Sequence, residues 1–129
     1  MRMPGPEGKG IMHAEIRIGD SAIFLGDESP ECVSKSPESL GAVTSTFYIS
    51  VDDVDTVFKQ ALEAGAKEEM AVQDMFWDDR MGSVIDPSGH HWGIATHAKD
   101  LSPDELRAGA EEFFKQIAEK KEKPLEASV

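Results

Sequence analysis

Cysteine is almost missing from this chain: Cys32 stands alone among 129 residues. No internal disulfide can form, which fits a reducing compartment. No basic residue precedes Cys32 closely enough to activate it as a nucleophile, so it is assigned no role. Basic residues are scarce too: 13 Lys and Arg face 25 Asp and Glu, a formal charge of −12 with a sequence pI near 4.6. That charge repels phosphate backbones and anionic lipid, which argues against nucleic acid and membrane surfaces as partners. Long apolar runs are lacking; none approaches the ~20 residues that a membrane helix needs. The opening MRMPGPEGKG has no apolar core of the kind a signal peptide carries, so the expected location is the cytoplasm.

What remains is an ordinary single-domain composition, with 40% apolar residues over 129 positions. Residues 1–10 are rich in glycine and proline and read as a loop. From Ile11 to Ile18 the chain alternates, with Met12, Ala14, Ile16 and Ile18 on one face and His13, Glu15 and Arg17 on the other. Gly19-Asp20 turns it, and a two-residue turn sets Arg17 opposite Ala22, Glu15 opposite Phe24 and His13 opposite Gly26. Asp27 to Ala42 shows little periodicity and reads as a mobile crossover loop.

Alternation resumes from Val43 to Val51, with Thr44, Thr46, Tyr48 and Ser50 on the polar side. Val54, Val57, Phe58, Ala61 and Leu62 then form a helical stripe, with Asp52 or Asp53 as N-cap and Gly65 just past the end. Met70 to Gln73 suggests a short strand, followed by strands near Arg80–Ile85 and His91–Thr96 around the turn Asp86-Pro87-Ser88-Gly89. Trp92, out of phase with His91 and Gly93, is placed on the helix side as core. Ser102-Pro103-Asp104-Glu105 is a capping box that opens a helix with Leu106, Ala110, Phe113 and Ile117 in line, and the chain from Lys120 onward is expected to fray.

The wording around the hairpin, W-x-D-R-x-G from Trp77 followed by DP-x-G-H-x-W from Asp86, resembles the second module of the glyoxalase/bleomycin-resistance/dioxygenase proteins, the vicinal-oxygen-chelate superfamily. Its PhnB-like branch is the nearest in wording. The resemblance implies an α+β fold of paired βαβββ modules in a single domain. Here residues 1–28 form a partial first module, 29–42 a linker, 43–97 a complete module and 102–121 a C-terminal helix. Relatives begin with a strand and a helix ahead of the segment RMPGPEGKGIMHAEIRIGD, so the first module is expected to be truncated. The face of Met12, Ala14, Ile16, Ile18, Ile23 and Leu25 then needs another cover, either the C-terminal helix or a second subunit. A homodimer is the expectation.

The resemblance also implies one cavity lined by the polar strand faces, which carry His13, Glu15, Arg17, Phe24, Thr44, Thr46, Tyr48, Ser50, His91 and His97. Metal-dependent members hold His or Glu ligands at matching strand positions. Three of the four positions hold Phe24, Thr46 and Gly93 here, and the fourth falls on the absent first strand, so no metal centre is expected. The expected function is small-molecule binding, with Arg17, Phe24, Thr46, Tyr48, Trp77, Arg80 and His91 as ligand-binding residues and no cofactor. Arg80 has a structural rival reading, pairing with Asp74, Asp78 or Asp79. The alternative function is a lyase, isomerase or dioxygenase-type enzyme. It would use His13 and Glu15 as an acid–base pair, or an atypical divalent metal such as zinc, iron, nickel or manganese.

Overall fold

A computed structural model describes residues 1–122. Two packing units divide at Val43/Thr44.

The first unit is built on the hairpin of β2 (Ile11–Ile18) and β3 (Ser21–Leu25). Its register sets Glu15 opposite Phe24 and Arg17 opposite Ala22, as the two-residue turn requires. The start of the chain is not the loop that its Gly and Pro content suggests. Arg2–Pro4 forms β1, antiparallel to β2, and Pro6–Gly8 makes a short 3-10 turn back into it. Proline tolerates this because a three-residue edge strand asks for few ladder bonds. The crossover is likewise more ordered than its composition implies. Ser36 caps a single turn, α1 (Pro37–Leu40), through its hydroxyl on the Ser39 amide at 3.1 Å, and Glu28 accepts the Ser39 hydroxyl at 2.5 Å. In the sheet β1-β2-β3, Met12 and Ile16 stay 59% and 39% exposed.

The second unit runs β4 (Thr46–Ser50), α2 (Val54–Glu63), β5 (Lys67–Asp74), β6 (Asp79–Ile85), β7 (His91–His97) and α3 (Pro103–Glu122). Its sheet order is β4-β7-β6-β5, with β4 parallel to β7 and the rest antiparallel. This is the β-α-β-β-β arrangement, and β1-β2-β3 repeats the three-strand meander of β5-β6-β7 without a counterpart of β4. The apolar stripe of α2 packs on one sheet face, where Val54 and Phe58 meet Val84 and Ile94 and are flanked by Ile49, Val72 and Trp92. Trp92 thus lies on the helix side, its indole N–H donating to Asp86 at 2.8 Å. Gly82 is required under Phe58, since a Cβ there would stand 2.8 Å from the ring.

Asp53, not Asp52, caps α2, accepting from the Thr56 amide at 3.3 Å. Thr96 fastens the helix entry to β7: its hydroxyl donates to the Val51 carbonyl at 3.0 Å and accepts from the Val54 amide at 2.9 Å. The capping box also forms, with Ser102 and Glu105 bonding each other's amides at 3.2 and 2.8 Å. The helix continues past Lys120 to Glu122; the fraying expected beyond that lies outside the described residues. No helix among the described residues is long and apolar enough to cross a membrane.

Candidate functional site

Alternation along β4, β6 and β7 sorts the second sheet into two faces. Val84, Ile94 and Trp92 go to the helix; Thr46, Tyr48, Asp79, Met81, His91, Gly93 and His97 go to the opposite, open face. The strand register aligns Tyr48 with Gly93 and Asp79 with His97, which brings four distant residues into one neighbourhood. Gly93 lets the Tyr48 ring lie across the strand. A Cβ at position 93 would come within 2.9 Å of the Tyr48 ring and 3.4 Å of the Met81 methyl.

From there a chain of polar contacts crosses the face. The Tyr48 hydroxyl donates to Asp79 Oδ2 at 2.8 Å, and His97 Nδ1 meets Asp79 Oδ1 at 2.5 Å. His97 Nε2 meets Asp100 Oδ1 at 2.9 Å. A carboxylate on each ring nitrogen favours the doubly protonated imidazolium of His97. Its pKa is accordingly raised, by the bond to Asp79 first and Asp100 second, with burial acting in the opposite direction. Asp79 moves the other way. Partial burial pushes its carboxyl up, but the donors His97, Tyr48 and Trp77 outweigh that and hold it below the usual range. Tyr48 is raised by burial and by the bond to Asp79, with the Trp77 indole working against both. The hydroxyl therefore keeps its proton and points it inward to Asp79.

Around this chain, His91 Nδ1 pairs with Glu69 at 2.9 Å, and Thr46 sits beside His91 in the β4–β7 register. Trp77 belongs to the loop between β5 and β6, where Asp78 takes a left-handed φ of 66° and Phe76 bridges Trp77 to Phe113 of α3 at 4.9 and 5.2 Å. Arg80 alternates to the helix side. It forks onto Asp55 of α2 with both bonds at 3.0 Å and reaches Asp74 at 3.3 Å, which raises its pKa and lowers that of Asp55. In the first unit His13, Glu15, Arg17 and Phe24 share one face of the hairpin. The His13 and Glu15 side chains are 3.6 Å apart, and Phe24 meets the His13 ring edge-on at 5.3 Å.

Sequence reasoning missed Asp79, Asp100 and Glu69 as participants, and Asp55 as the partner of Arg80. For Asp79 a signal existed: it lies in phase with Met81 and Ser83, on the strand face that the β6–β7 hairpin sets opposite His97. Among the described residues no group of three or more His, Cys, Asp or Glu is placed to hold a metal ion. His97 lies between its two carboxylates, so both nitrogens that could serve a cation are already spent.

Proteins of Mycobacterium bovis and Mycobacterium tuberculosis that carry no functional name are 43% identical over 110 residues, a match that covers 83% of this chain. It covers 72% of the M. bovis protein and 64% of the M. tuberculosis one. Among solved structures, TioX from Micromonospora sp. ML1 matches with TM-score 0.57 and 28% identity over 76% of each chain. A PhnB protein from Bacillus cereus shares the fold at TM-score 0.54 and 14% identity, over 74% of this chain and 76% of that one. With its β-α-β-β-β unit, its repeated meander and a family model that matches residues 2–94, the chain belongs to the Glyoxalase/Bleomycin resistance protein/Dioxygenase superfamily.

Proposed function

We propose that this protein is a cytoplasmic, metal-free binding protein for a small molecule, held on the open sheet face around Tyr48. The observation that carries the reading is the ring of Tyr48 lying across Gly93. Gly93 stands where the superfamily's metal-dependent members place a ligand, and a His or Glu there would drive its Cβ to 2.9 Å from Tyr48. Thr46 and Phe24 at two further such positions supply neither imidazole nor carboxylate. The residues present do not fit the superfamily's divalent ion. Thr46, Trp77 and His91 frame the same face in this reading, whereas Arg80 is committed to Asp55 and Asp74 on the helix side.

The reading includes a homodimer. Met12 and Leu25 expose apolar surface beside the unpaired edge of β3, and Ser21–Leu25 is a strand without charge in a chain of net −12, where a second copy can approach. The second reading, an acid–base enzyme, draws on the 3.6 Å approach of His13 to Glu15. Metal analysis of protein purified without chelator tests the metal-free part of the reading. Substoichiometric zinc, iron, nickel and manganese is the expected result; a stoichiometric ion lost with His13→Ala or Glu15→Gln would sink the metal-free reading.

A further inference from the structure

The Tyr48 end of the open face is built from one aromatic ring and the carboxylate that its hydroxyl meets. Tyr48 is 48% exposed, yet its ring cannot tilt back into the sheet because Gly93 and Met81 lie directly against it. Its hydroxyl is spent as a donor on Asp79, and that carboxylate, with a side chain only 13% exposed, is fixed by His97 from the other side. A phenol that donates to a carboxylate carries extra electron density on its ring. What it offers a ligand is a negative π face and oxygen lone pairs, and no donor.

Charge at the rim runs the same way. Two carboxylates, Asp79 and Asp100, flank the one His97 ring, and Glu69 faces His91 further along the sheet. Lys67 stands at the far corner of the sheet, opposite Ile85. At the Tyr48 end of the face an anionic ligand would meet the carboxylates of Asp79 and Asp100, and a neutral one would gain only stacking.

We propose that the Tyr48 face, with Asp79 behind it, recognises a flat aromatic cation such as an N-alkylated or protonated nitrogen heterocycle. The cation stacks on the exposed side of the Tyr48 ring and places its positive edge toward the Asp79–Asp100 rim. This deepens, and rests on, the reading of a metal-free binding face. It assigns the class of ligand from two independent features, the ring held flat by Gly93 and the orientation of the hydroxyl proton.

The test compares three probes of one shape by titration with amide chemical-shift mapping: 1-methylquinolinium as the cation, 1-methylnaphthalene as the neutral isostere and naphthalene-1-sulfonate as the anion. The expected result is shifts centred on Tyr48, Met81 and Gly93, with the cation bound about threefold to fivefold more tightly than the neutral probe, a ratio that a cation–π contact at an exposed ring can supply. Tyr48→Leu should abolish that preference, and Tyr48→Phe, which keeps the ring and removes the Asp79 bond, should retain part of it and control for folding. Equal binding of the neutral probe at this face overturns the cation inference and leaves the binding-face reading intact. Cation binding that survives Tyr48→Leu unchanged reflects net charge alone and also overturns the inference. If no probe shifts these residues, both ideas fail.

Discussion

Gly93→Ala offers a test in which the sign of the effect depends on a second residue. The new methyl would stand 2.9 Å from the Tyr48 ring, closer than real contacts allow, and 3.4 Å from the Met81 methyl, an ordinary contact. Overpacking costs about 1–3 kcal/mol, and the lower end applies because Tyr48 is half-exposed and can swing outward. Swinging outward breaks the bond to Asp79, a charge-assisted contact that adds to the loss. The single variant should therefore lose about 1–2 kcal/mol. With Tyr48→Ala already in place the obstruction is gone. Position 93 has no left-handed φ to protect, so alanine then gains about 0.5–1 kcal/mol over glycine from the stiffer unfolded chain. Urea denaturation of the wild type, both single variants and the double variant closes a cycle with a coupling of about 1.5–3 kcal/mol. If Gly93→Ala destabilises equally in both backgrounds, the ring does not lie on Gly93, and the case against a metal ligand there loses its footing.

Phe58→Ala removes a ring that is 7% exposed between Val84 and Gly82, and should cost about 3–5 kcal/mol by denaturant titration; a loss under about 1 kcal/mol would mean that α2 does not pack as described. Asp55 is held below the ordinary carboxylate range first by its bonds to Arg80, so its contribution to stability is present above that range and is lost as acid protonates it. Asp55→Asn should therefore lower Tm near neutrality and leave it unchanged at strongly acidic pH, and an equal offset at both would contradict the pairing. His97 has the opposite sign. Its raised pKa, owed first to Asp79 and then to Asp100, stabilises the fold below the usual imidazole value, and this is lost as pH rises through the elevated one. In an NMR titration of the His97 ring, Asp79→Asn should move the midpoint down further than Asp100→Asn, and an unmoved midpoint would refute the assignment.

The parts of this fold that were legible were those whose signal is local. The β2–β3 register follows from Gly19-Asp20, the extent of α2 from its stripe and Asp53, and the start of α3 from Ser102 and Glu105. β1 is hidden because it is only three residues long and Pro4, Gly5 and Pro6 close it off, while the partner that orders it, β2, lies further along the chain. The site divides in the same way. Tyr48, Thr46 and His91 could be placed on a polar face by alternation alone. Asp79 could not be joined to Tyr48, 31 positions earlier, without the parallel pairing of β4 to β7. Arg80 finds one partner among its neighbours in sequence, Asp74, but not Asp78 or Asp79. One step of strand phase turns it away from Asp79 and toward Asp55, 25 positions back on α2.

The parallel placement of β4 against β7 also governs the route by which the second unit acquires its shape. The β6–β7 hairpin closes through the short Asp86–Gly89 turn, a fast local event, whereas Thr46 must find His91 across a loop of 45 positions that includes a helix and two strands. β4 is thus the natural last arrival. Until it docks, the β7 edge stays open and Tyr48 has neither Gly93 beneath it nor Asp79 beside it, so the open face around Tyr48 is complete only once β4 is in place.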